Sequence, residues 1–89
     1  MRAVISVIGQ DKVGVLARVS GICAECGINI IDVTQKVLDG MFTMIMLVEI
    51  DGCTVSFEEF SSKLDAAGKE IGMAIHTMHE DIFNSMHRI

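Results

Sequence analysis

Ten residues, Met41-Phe42-Thr43-Met44-Ile45-Met46-Leu47-Val48-Glu49-Ile50, run between two Asp-Gly pairs, Asp39-Gly40 and Asp51-Gly52. Asp-Gly between apolar runs marks a tight turn, so the segment reads as a strand. It is apolar at nearly every position. A strand of that kind needs cover on both faces. Whatever fold the chain adopts must hold residues 41–50 inside a sheet with a layer on each side.

The flanking segments supply the rest of the architecture. Residues 2–9 read as a strand. From 12 to 26, Val15, Leu16, Val19, Ile22, Cys23 and Cys26 fall on one helical face, and Gly27 follows at the position a helix C-terminus prefers. Residues 28–38 form a second strand, joined to residues 41–50 by the Asp39-Gly40 hairpin. Ser56-Phe57-Glu58-Glu59 is a capping box that opens a helix with Phe57, Phe60, Leu64, Ala67 and Ile71 on one side and Gly72 as its stop. Residues 73–79 read as a fourth strand. A terminal helix over 80–89 carries Ile82, Phe83, Met86 and Ile89 on one stripe. The order β-α-β-β-α-β is the ferredoxin-like split βαβ arrangement. It predicts a single α+β domain over 1–89, with its core in 2–79: a four-stranded antiparallel sheet with two helices on one face. The other face of the third strand then needs the terminal helix, a second sheet or another subunit.

Composition points the same way. Of 89 residues, 51% are hydrophobic before the eight glycines are counted, against about 45–50% for average usage with glycine included. No apolar run reaches the roughly 18–20 residues of a membrane helix, so a buried interface between copies is the expected sink. The net charge of −5 and the absence of Trp and Tyr speak against nucleic acid as a partner. Met1-Arg2 leads into the first strand without a leader-like segment, and three cysteines make an odd count for a disulfide framework. A reducing cytoplasm is the expected location.

The junction after the first strand carries the chemistry. Val4-Ile5-Ser6-Val7-Ile8 stops at Gly9, and a short polar loop with Asp11 passes directly into helical periodicity with Gly14 in the first turn. Strand, tight loop and helix leave free N–H groups at the helix start, where small anionic groups bind. Asp11-Lys12-Val13-Gly14-Val15, then Gly27-Ile28-Asn29-Ile30 and Asp32-Val33-Thr34-Gln35, resemble the ACT domain, a small-molecule-sensing module usually fused to enzymes of amino-acid metabolism. Phe42-Thr43-Met44 and Ile82-Phe83 are similar to a small bacterial group of stand-alone ACT proteins. The resemblance covers about residues 2–79. It implies regulation rather than catalysis, in a homo-oligomer paired through its strands, with an amino acid or similar effector near the subunit interface. Carried onto this chain, the ligand contacts are Asp11, Lys12, Val13, Gly14 and Val15, with Asn29 and Ile30 opposite. The chemistry suits an amino acid: the helix start receives a carboxylate, Asp11 pairs with an ammonium, and Asn29 offers donor and acceptor. Since no catalytic domain is attached, a separate regulated protein is the implied partner. No cofactor is expected.

Each of these residues also has a plainer reading. Asp11 suits capping of the first helix; Gly14 suits close helix–sheet packing; Asn29 suits a turn; Lys12 suits a solvated side chain. Cys23-Ala24-Glu25-Cys26 is a CxxC, but at a helix C-terminus, where the dipole disfavours thiolate, so core packing is expected. His76 and His79, three apart on a strand, point to opposite faces and make a poor metal pair. The seven methionines suit core and interface packing. Two other functions stay open. One is an interaction module without a small ligand. The other is an acylphosphatase-like hydrolase, vaguely echoed by Val13-Gly14-Val15-Leu16-Ala17-Arg18, although Asp11 would repel phosphate and Arg18 lies well into the helix. No other catalytic set or metal constellation is legible.

Overall fold

A computed structural model describes residues 1–10 and 13–86. Its elements are β1 (Arg2–Gln10), α1 (Val15–Glu25), β2 (Asn29–Leu38), β3 (Met41–Glu49), α2 (Phe57–Ile71), β4 (Met73–His79) and α3 (Glu80–Met86). The four strands form one sheet in the order β2-β3-β1-β4, with every neighbouring pair antiparallel. This is the ferredoxin-like arrangement expected from the element order. Residues 87–89, which include Ile89 of the expected terminal stripe, lie outside the described residues.

Local chemistry places the boundaries. Asp39 and Gly40 take φ of 53° and 79°, the paired positive values of a type I′ turn, so Leu38 pairs directly with Met41. The Ser56 hydroxyl accepts the Glu59 backbone N–H at 3.1 Å, the first half of the capping box. α1 ends in a Schellman motif: Ile28 N–H donates to Cys23 C=O at 2.8 Å and Gly27 N–H to Ala24 C=O at 3.2 Å. Its start differs from expectation. The helix begins at Val15, and Gly14 is its N-cap at φ 87°, because a residue in the left-handed region cannot belong to a right-handed first turn.

One core lies between the sheet and the two long helices. Ala3, Ile5 and Val7 of β1 and Met44, Met46 and Val48 of β3 meet Val19 and Cys23 of α1 and Phe60 and Leu64 of α2, all fully buried. The outer face of the sheet is only partly covered. α3 packs on β1 and β4, and Val4, which alternation puts on that face, is buried. Ile8 and Ile45 remain 42% and 37% exposed. The terminal helix therefore supplies part of the second layer that the third strand requires. Among the described residues, no helix is long and apolar enough to cross a membrane.

The CxxC behaves as core. Cys23 and Cys26 are buried, while Cys53 is half-buried. Burial, with the Cys26 thiol nearby, pushes the Cys23 thiol up to about 11; burial raises Cys26 as well. A raised thiol pKa leaves little of the nucleophilic thiolate near neutrality. Timed labelling of the folded protein with a thiol reagent at pH 8 should therefore modify Cys53 first. Cys23 should react only on unfolding, or as the pH approaches 11. Labelling of Cys23 as fast as Cys53 in folded protein would contradict this packing.

Candidate functional site

Among the described residues, no side chain caps the start of α1. Gly14 makes no side-chain cap, and the first backbone bond of the turn runs from Arg18 N–H to Gly14 C=O at 3.0 Å. Helix geometry leaves the N–H groups of Val15, Leu16 and Ala17 without intrahelical acceptors. Among the described residues, a Cβ on Gly14 would meet nothing within 4 Å. The positive end of the helix dipole adds its field there, and no acidic side chain occupies the first turn.

The expected contact residues divide into several roles. Asp11 and Lys12 lie outside the described residues. The N-cap position that Asp11 suited is held by Gly14 instead. Val13 is fully exposed, whereas Val15 is a core residue only 3% exposed, so it offers its backbone N–H and not its side chain. Asn29 is exposed and Ile30 half-buried at the start of β2, just before the bulge at Ile31.

Within one chain Val13, Gly14 and Val15 do not meet Asn29 and Ile30. β1 and β2 both run antiparallel to β3 and hence parallel to each other. Gln10 pairs with Met41, which pairs with Leu38; Arg2 pairs with Glu49, which pairs with Asn29. The loop after β1 therefore sits at the hairpin end of the sheet, and Asn29 at the other end. The eight residue-to-residue steps of β1 from Arg2 to Gln10 separate them by about 26 Å.

Other features lie apart from this junction. Arg18, the candidate phosphate ligand of the hydrolase reading, pairs its guanidinium with Glu70 of α2. His79 stacks on Phe57 with ring centroids 4.2 Å apart, while His76, opposite Ser6, is exposed on the outer face. Among the described residues no three His, Cys, Asp or Glu side chains gather as a metal site would require. A cavity of about 800 Å³ runs along β4 from α3 to α2, with Ile8, Ile45, His76 and Phe83 on one side and Asp65 and Lys69 on the other. A second, of about 760 Å³, lies by Arg2 and Glu80. Neither includes Gly14 or Asn29.

Sequence reasoning missed the free edge of β2. Ile31, Val37 and Leu38 are 46%, 52% and 68% exposed there. Only the strand order reveals the edge.

Comparison with known proteins adds a lineage to this geometry. The sequence profile described as the ACT domain matches residues 2–78. A UPF0237 protein of Listeria innocua is 47% identical over 89 residues, covering all of both chains. An ACT domain protein from Streptococcus pneumoniae superposes with a TM-score of 0.81 at 40% identity, covering 93% of each chain. The regulatory subunit of aspartate kinase from Thermus thermophilus, in its ligand-free form, superposes with a TM-score of 0.67 at 28% identity, over 85% of this chain and 49% of that one.

Proposed function

Because the chain belongs to the ACT domain family, we propose that it is a non-catalytic regulatory module that binds an amino acid between two copies of itself and acts on a separate protein. The observation that carries this reading is the start of α1, where the N-cap is a glycine and, among the described residues, no side chain caps the helix. A free carboxylate fits the N–H groups of Val15, Leu16 and Ala17. Asp11, with Lys12 and Val13 in the same loop, supplies the partner for the ammonium group. Asn29 and Ile30 lie at the far end of the sheet, so they reach this ligand from a second copy. The half-site within one chain is thus a physical reason for the homo-oligomer.

A thermal-shift screen against the common amino acids, with an added dye because the chain lacks Trp and Tyr, tests the reading. A selective ligand at 100 times its dissociation constant stabilises the fold by about 2.7 kcal/mol, which moves the midpoint of a domain this size by roughly 10–20 °C. Asn29→Ala should then weaken that ligand by about tenfold or more, the worth of a hydrogen bond to a charged group. An unchanged affinity would remove Asn29 from the site. A flat response to the whole panel would favour the interaction-module reading instead, for which the exposed Ile8 and Ile45 of the outer face supply a surface.

A further inference from the structure

We infer that the groove along β4 takes an extended segment of another protein as a further, antiparallel strand, with a hydroxyl or amide side chain opposite Thr77 and an apolar side chain on each side of it. β4 is an outer strand of the sheet, and its edge is a template for another strand. Strand register decides which groups face that edge. Leu38 and Met41 flank a two-residue turn, so they exchange both hydrogen bonds. Counting on in steps of two, Thr43 and Ile45 also bond to β2, while Phe42, Met44 and Met46 bond to β1. Their partners Gly9, Val7 and Ile5 therefore point to β3. That leaves Ile8, Ser6 and Val4 to bond Ala74, His76 and Met78 of β4. Ile75 and Thr77 turn their N–H and C=O groups outward, into the cavity that both residues line.

The two walls of the groove fix the chemistry of the occupant. Alternation puts the side chains of Ile75 and Thr77 on the α2 side of the sheet and those of His76 and Met78 on the α3 side. The α2 wall carries the hydroxyls of Ser61 and Ser62. Its two charges, Asp65 and Lys69, pair with each other at 3.3 Å, so the wall is polar and close to neutral. The other wall is apolar, with Phe83 and Met86 of α3 beside Ile8. A strand laid along β4 sends alternate side chains to the two walls. Its residue opposite Thr77 faces the hydroxyl wall, and the residues before and after it face the apolar one. Thr77 supplies a second, independent observation. Its Oγ1 is buried and has no hydrogen-bond partner among the described residues, a state that calls for an explanation in a native fold. A hydroxyl or amide side chain opposite it completes that bond. A second copy of this chain is a poor occupant. Two β4 edges paired about a two-fold axis would bring α2 against α2 and α3 against α3, wall against wall, in a groove with room for one strand.

The segment belongs to the separate regulated protein, which rests on the reading in the preceding subsection. The groove itself does not rest on it, because neither Gly14 nor Asn29 lines the cavity.

A displayed library of random seven-residue peptides, selected on the folded protein, supplies the probe. Enriched peptides should share a Ser, Thr, Asn or Gln between two apolar residues. A synthetic peptide from that pool should slow hydrogen exchange at the Ile75 and Thr77 amides and leave the amides of β2, the other free edge, unchanged. N-methylation at its polar residue should weaken binding about tenfold or more, since that N–H faces β4 and its loss leaves the Thr77 C=O unpaired. N-methylation at either flanking apolar residue, whose N–H points away from β4, should cost far less. Thr77→Val keeps the backbone edge and removes only the orphan hydroxyl, so the same peptide should bind roughly fivefold more weakly, the worth of one neutral hydrogen bond. An unpatterned or empty selection, protection at β2 instead of β4, or equal losses from the two kinds of methylation overturns the inference. So does an unchanged affinity in Thr77→Val. Every arm runs without amino acids, so a flat amino-acid screen leaves the groove standing, and failure here leaves the amino-acid site standing.

Discussion

Phe60→Ala will remove a large part of the stability of this domain. Phe60 is fully buried on the sheet-facing side of α2, within the single core cluster that β1, β3, α1 and α2 share. Truncating a buried phenylalanine costs about 3–5 kcal/mol, from lost transfer energy and the cavity left behind, out of the roughly 5–15 kcal/mol that holds a domain together. The lower end of the range applies here. Met44 and Met46 belong to the same cluster, and unbranched methionines relax into a void more readily than β-branched neighbours do. A loss of about 3 kcal/mol lowers the melting midpoint by roughly 12–24 °C in a domain of this size. Denaturant titration should show the midpoint fall with an unchanged slope. Phe57, only partly buried and stacked on His79, should cost clearly less on the same substitution. A loss under about 1 kcal/mol at Phe60 would mean that the core closes over the vacancy, contrary to the close packing assigned to it.

The same residues show what the sequence makes legible. Phe60, Leu64 and Ala67 repeat at helical spacing behind a capping serine, and Asp39-Gly40 names its own turn type. Strong local periodicity and turn chemistry of this kind survive into the fold almost unaltered. The start of α1 was harder to read, because Val13 and Val15 flank a glycine that fits equally well inside a helix or before it. Only its φ of 87° decides that it lies before. The candidate site was legible as chemistry but not as geometry. Asp11, Gly14 and Asn29 have the right functional groups for an amino acid. The placement of Gly14 and Asn29 at opposite ends of parallel strands follows from strand order, a long-range property that no local pattern records.

Gly27→Ala should be the most damaging of the small substitutions, and the one that connects stability with the site. Two independent costs act together. Gly27 holds φ 72° as the left-handed residue of the Schellman motif, and a side chain in that region costs about 1–2 kcal/mol. A Cβ there would also stand 2.6 Å from the Gly52 backbone oxygen. That oxygen cannot retreat freely. The loop carrying it is tied to the end of α1 by Thr54 N–H donating to Cys26 C=O at 2.8 Å, and to itself by Cys53 N–H donating to Ile50 C=O at 3.1 Å. Overpacking against fixed neighbours adds about 1–3 kcal/mol, for a total near 2–5 kcal/mol. Gly40→Ala is the control: φ is 79°, yet among the described residues nothing lies within 4 Å of the added carbon, so the conformational cost of about 1–2 kcal/mol is what remains. The difference between the two variants in denaturant titration isolates the clash. Since β2 opens at Asn29, two residues beyond Gly27, relief of the clash must displace the strand's first residues. Any amino-acid affinity measured for the unaltered protein should therefore fall in Gly27→Ala, under conditions where it is still folded, and hold in Gly40→Ala. Equal stability losses in the two would show that the loop of Gly52 yields, and that the close contact of α1's end with that loop does not position Asn29.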